Sequence, residues 1–307
     1  MDKMTANQVP AVHLHQIAYS PATLAGVEPG YAVMDNLENL RPDWFEYWPI
    51  RQYLLSQSLD EDAFYGFFSP KFGHKTHLSH AEVVQFVETA APRADVVLFS
   101  PQPDMGAFFL NVFEQGETFY AGLIDAYSTF LDSIGRPTPL RQLVMDSRQV
   151  CFSNYFVARP AFWREWLVLN EALFEVCEGP DCALKTAFGE DSNYKANAAI
   201  PRKVFLIERA ASLLLITQPK WRSVAHNPFG LNWSKSGLNQ HVTDAYISDA
   251  LKVAFKETRR QQYLEAFSVV RERVLRGIAA ATTATAAPQA MLPPRHKSKN
   301  HKSRKKK

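Results

Sequence analysis

Two short apolar runs in this chain stop at the same dipeptide. "YGFFSPKFGHKT" covers residues 65 to 76 and "VVLFSPQPD" covers 96 to 104. Between them lies "SHAEVVQFVETAA", with apolar residues at helical spacing and Ser79 three residues ahead of Glu82, the signature of a capping box. An apolar run, a helix and a second apolar run make the unit of a parallel sheet, since strands that run the same way need a crossover between them. The predicted fold is therefore α/β, an open, mostly parallel sheet sandwiched by helices.

The rest of the chain fits that plan. "AVHLHQIAY" at 11 to 19 alternates polar and apolar residues and reads as an opening strand. "DNLENLRPDWFEYWPIRQYLLSQ" begins with turn chemistry at Asp35-Asn36 and reads as helix after Arg41, with Pro42 at a first helical position and Pro49 bending or restarting the helix. "DMGAFFLNVFEQGETFYAGLIDAYSTFLDSIG" reads as mostly helical with Gly135 as its stop, and "VCFSNYFVA" at 150 to 158 as a strand. Pro160 opens a helix whose Phe162, Trp163, Trp166, Leu167, Leu173 and Phe174 share one face. "KVFLIERAASLLLITQ" at 203 to 218 is a further helix, and one amphipathic helix is predicted from about Thr243 to Leu275. The organisation read from this is an α/β domain at 1–240, a C-terminal helix at 241–279, and a disordered linker with a basic tail at 280–307.

Charge supports that division. The chain of 307 residues carries a net +3, yet Arg295 to Lys307 hold eight Lys and Arg and no acid, so the body is mildly acidic. "AAATTATAAPQAMLPP" ahead of the tail has too few large apolar groups to offset its ordering entropy. Such a tail suits contact with an anionic surface or nucleic acid, against a plain solubility role. No apolar run approaches the roughly 18 to 20 residues that span a bilayer, so the expected location is cytoplasmic. The cysteines, Cys151, Cys177 and Cys182, lack metal-ligand spacing and read as reduced thiols.

Ligands of open α/β sheets bind beyond the carboxyl ends of the strands, which makes both Ser-Pro boundaries candidate site edges. After the first come Lys71, His74, Lys75 and Thr76, suited to a diphosphate or else a solvated loop. After the second comes Asp104, a site carboxylate or else the cap of the next helix. Asn154 falls in a predicted strand, where an amide must be satisfied by backbone or by ligand. Glu208 lies in a helix that is apolar nearly all round, so it is expected to be buried and either ion-paired or lining a site. Arg209 points about 100° away on the helix, so that partner must come from elsewhere. "DED" at 60 to 62 has the Asp-x-Asp form that holds metal in many sugar transferases, but it precedes a strand instead of following one. There is no G-x-G-x-x-G, P-loop, H-E-x-x-H or G-x-S-x-G.

The motif order "DNLEN", "WFEYWPI", "YGFFSPKF", "DVVLFSP", "FSNYFVA", "FLIERAASLLL" resembles a family of bacterial capsular and lipopolysaccharide glycosyltransferase-like domains over roughly residues 31 to 217. The resemblance implies a type-A glycosyltransferase fold, a nucleotide-sugar donor, a glycan acceptor and a role in surface-polysaccharide assembly, in the cytoplasm or peripheral to the inner membrane. By position, Asp35, Asn36, Glu46, Asn154, Glu208 and Arg209 fall on its motifs as substrate-contacting or catalytic residues. Where the family carries His-Tyr-Arg-Arg, this chain has Ser69-Pro70-Lys71-Phe72. Lys71 and Lys75, or a divalent metal such as manganese or magnesium, would then meet the departing diphosphate, with Asp104 or Glu208 as base. The alternative is a transferase-like domain that has lost catalysis and binds a glycan or a partner protein.

Overall fold

The computed structural model describes residues 9–190 and 200–286, with side chains as far as residue 279. Six strands form one sheet: β1 (Val12–Ala18), β2 (Ala32–Asp35), β3 (Phe64–Phe68), β4 (Val96–Leu98), β5 (Phe156–Ala158) and β6 (Ser223–Ala225), in the order β2-β1-β3-β5-β4-β6. β1 pairs in parallel with β2 and β3, and β4 with β6, whereas β5 runs against both β3 and β4. The sheet is thus mixed, with β5 as the reversed strand. The reversal has a consequence for function, since β5 begins at the edge where β3 and β4 end.

β3 shows how the sheet is held. Its residues are buried on both faces, Phe64 and Phe68 in one core and Tyr65 and Phe67 in the other, as strand alternation requires. Gly66 sits between them. A Cβ there would lie 2.9 Å from Val157 Cγ2 and 3.0 Å from Leu14 Cδ2, so glycine lets side chains of β1 and β5 close over the strand. The larger core is built on α7 (Leu123–Ser133), α8 (Pro160–Glu178) and α10 (Arg202–Thr217), around stacked Phe156 and Trp163. The smaller is built on α4 (His80–Ala90), whose predicted Ser79–Glu82 capping box is formed.

Several sequence expectations are corrected. The helix after Arg41 is interrupted at Phe45, where φ is 48°, and α2 (Tyr47–Ser56) starts afresh, with Pro49 accommodated in its first turn. Only Phe156–Ala158 of the predicted strand at 150–158 pairs, because Ser153 and Asn154 are left-handed, with φ of 62° and 53°. The helical run at 104–135 is three pieces, α5 (Pro103–Ala107), α6 (Val112–Glu117) and α7. The single C-terminal helix is two, α11 (Val242–Thr258) and α12 (Gln262–Ala286), parted at Arg259, where φ is 58°. α12 also runs seven residues into the segment assigned to the linker, while the tail from 287 onward lies outside the described residues.

These last helices are fastened to the body by polar groups. Lys252 on α11 is fully buried and donates to the carbonyls of Gly106 (2.7 Å) and Phe109 (3.0 Å). Asp249 accepts from Ser147 N and Oγ, and Arg271 on α12 pairs with Glu114. No described helix is long and apolar enough to cross a membrane.

Candidate functional site

The reversed entry of β5 brings three separated stretches to the carboxyl end of β3. Ser69 follows β3 directly, and α3 (Phe72–Thr76) then carries Lys75 back toward the sheet. The left-handed pair Ser153-Asn154 leads into β5 from the same edge, and one face of α10 supplies Glu208 with Val204 and Phe205. Phe45 and Glu46 complete the rim at the start of α2. Together they surround a small cleft open to solvent.

Ser153 is the hub. Its backbone N–H donates to Glu208 Oε1 at 2.7 Å, and its hydroxyl accepts from Lys75 Nζ at 2.8 Å. Both contacts depend on the left-handed turn, which aims the N–H away from the strand ladder and into the cleft. Lys75 Nζ also lies 5.4 Å from the centroid of the Tyr155 ring, and Tyr155 Oη meets Ser69 Oγ at 2.7 Å. Burial pushes the Glu46 carboxyl above the ordinary carboxylate range. The Glu208 charge adds to that push, while the Glu46 backbone N–H, Lys75 and Lys71 oppose it. The cleft therefore holds two carboxylates near enough for the charge of one to bear on the other.

Of the residues singled out from sequence, Glu46, Lys75, Asn154 and Glu208 meet here. Glu208 is half-buried and reachable, contrary to the expectation of full burial, because the helix face it occupies borders the cleft. Its neighbour Arg209 is the buried one, 3% exposed. Its guanidinium donates to Val112 O, Phe205 O and Gln115 Oε1, each at 2.8 Å, which ties α6 to α10, and lies 4.0 Å from Glu208 Oε2. Asp104 is likewise buried and lies outside the lining of the cleft. It has no exposed surface and accepts from Ser234 N at 3.0 Å and from the hydroxyls of Ser234 and Ser236.

Lys71 is exposed outside the lining, though its charge reaches Glu46. Asp35 accepts from Leu37 N at 2.9 Å and Asn36 Nδ2 donates to Asn39 Oδ1 at 3.3 Å, so both serve the turn after β2 and neither lines the cleft. Asp60 and Asp62 lie before β3, at the far edge of the sheet. The sequence reading missed Ser153 and Phe45, whose roles follow from positive φ, and only the placement of Asn154 in an otherwise apolar run hinted at a turn.

Among the described residues, no three His, Cys, Asp or Glu side chains converge to hold a metal ion. Compared with known protein families, curated proteins and solved structures, the chain matches none.

Proposed function

We propose that the chain is a glycosyltransferase that moves a sugar from a nucleotide-sugar donor to a glycan acceptor in the Glu46–Glu208 cleft. The observation that carries this reading is the convergence of Glu46, Lys75, Asn154 and Glu208 at the carboxyl end of β3. The motif order supports the choice of reaction, and the chemistry is suited to it. The acceptor hydroxyl oxygen attacks the anomeric carbon and the bond from that carbon to the diphosphate oxygen breaks. Glu208, the reachable carboxylate, takes the hydroxyl proton; Lys75 and Lys71 meet the charge that develops on the diphosphate. Glu46, whose carboxyl is pushed upward by burial and by the Glu208 charge, lines the cleft with it.

A panel of nucleotide sugars, with and without manganese, tests this by thermal shift and by release of nucleoside diphosphate. Release with at least one donor is expected; no response to any of them removes the reading. The Ser69-Pro70-Lys71-Phe72 departure favours a second reading, a domain that binds its ligand without turnover, and binding with no release would establish it.

A further inference from the structure

The cleft leaves one of its own hydrogen-bonding demands unmet. Asn154 Oδ1 is buried and has no partner among the described residues. Native chains seldom leave such an atom unpaired, because its desolvation is then uncompensated. The backbone that carries it is held in place. Asn154 sits at φ 53° next to Ser153 at 62°, with its own carbonyl accepting from Phe156 N at 3.0 Å and the Ser153 N–H committed to Glu208 at 2.7 Å. Asn154 lines the cleft.

The charges around it restrict what can answer. Glu46 and Glu208 both line the cleft, and the lysine that lines it, Lys75, already donates to Ser153 Oγ at 2.8 Å. A phosphate placed at this end would face two carboxylates and an amide oxygen, all acceptors. A neutral group rich in O–H donors would satisfy all three. Apart from Ser69 and Ser153 the remaining described lining is apolar, with Phe45, Val204 and Phe205 offering a surface to the C–H face of a ring.

We infer that the Asn154 end of the cleft takes the sugar, with Asn154 Oδ1 accepting from one of its O–H or N–H groups, and that the diphosphate lies outward at Lys75 and Lys71. The inference rests on the nucleotide-sugar reading and adds to it an orientation and the residue that reads the sugar.

The test uses the full chain and four probes: a nucleotide sugar, the matching nucleoside diphosphate, the nucleoside alone and the methyl glycoside of the sugar. Asn154→Gly keeps the left-handed backbone and removes the amide. It should bind the nucleotide sugar about tenfold more weakly and the nucleoside diphosphate unchanged, whereas Lys75→Met should weaken both about equally. Equal loss for both probes in Asn154→Gly, or loss for neither, overturns the inference, as does loss of nucleoside binding. Should Asn154→Gly not fold, wild-type protein with a series of deoxy or deacylated donors decides. At least one should bind about tenfold more weakly than its parent, and uniform tolerance overturns the inference. If no nucleotide binds the wild type, the transferase reading fails by itself. Saturation transfer from the protein to the methyl glycoside, lost in Asn154→Gly, would then still support the sugar assignment, and its absence in the wild type would end it.

Discussion

Two parts of the carboxyl edge of the sheet hold charge away from water, and they treat it in opposite ways. Beyond β4, Asp104 takes a backbone N–H and two hydroxyls from the loop at 234–236, and Lys252 reaches beneath α5 to two carbonyls. Beyond β3, Glu208 has one oxygen on Ser153 N and the other 4.0 Å from the Arg209 guanidinium, the Glu46 carboxyl is pushed upward by burial, and Asn154 Oδ1 has no partner among the described residues. The sequence made Asp104 and Glu208 look alike, each an acid near an apolar element. What separates them is who supplies the donors. Where the chain answers its own charge the group is architecture, and where it leaves the demand open there is room for a ligand.

The largest expected effect is on the open side. Glu208→Gln retains an oxygen for Ser153 N but cannot take a proton, so nucleotide release should fall about 100-fold or more while the melting temperature holds. Unchanged turnover would move the base elsewhere. On the closed side, Asp104→Ala strands Ser234 N in the interior and leaves the Ser234 hydroxyl only its contacts with Ser236, so it should cost about 2 to 3 kcal/mol in urea unfolding. Its affinity for a nucleotide sugar should not change; if affinity fell more than stability, the contrast between the two regions would break.

Lys252 sharpens the contrast through pH. Burial depresses its pKa from 10.5 to about 8, with Asp249 the largest opposing influence. Below pH 8 the lysine is charged both folded and unfolded, and the folded state bears the full desolvation cost. Between about 8 and 10.5 the unfolded chain holds the proton more tightly, so this group makes stability rise with pH, by up to about 1.4 kcal/mol per unit, and the rise ends above 10.5. Lys252→Met should remove that slope in urea titrations run across the window; a slope that persists would assign it to another group. Smallest is Ser79→Ala, which deletes a cap remote from both regions and should cost about 1 kcal/mol with no change in ligand binding.

Much of the frame was legible because it is local. The opening strand, β3, the Ser79 cap, β4 and the Pro160 start of α8 follow from periodicity and capping chemistry within a few residues. The two Ser-Pro boundaries do lie at strand ends, and each borders a pocket: Ser69 lines the cleft, while Ser100, which accepts from Phe152 N, lines a second pocket beyond β4. The breaks at Phe45, Ser153-Asn154 and Arg259 were not legible, since nothing in those side chains demands a left-handed backbone. Tertiary packing imposes it.

By itself, then, the sequence determined an α/β body, its main strands and helices, and a shortlist of polar residues worth explaining, because hydrophobic period and end-capping act over short spans. Only the tertiary structure decided that β5 runs backward and delivers Ser153 and Asn154 to the end of β3. The same packing decided that Arg209 and Asp104 are satisfied inside the protein while Glu46, Lys75, Asn154 and Glu208 share a cleft. Which donors reach a buried charge depends on contacts between residues far apart in the chain, and those are fixed only when the core closes.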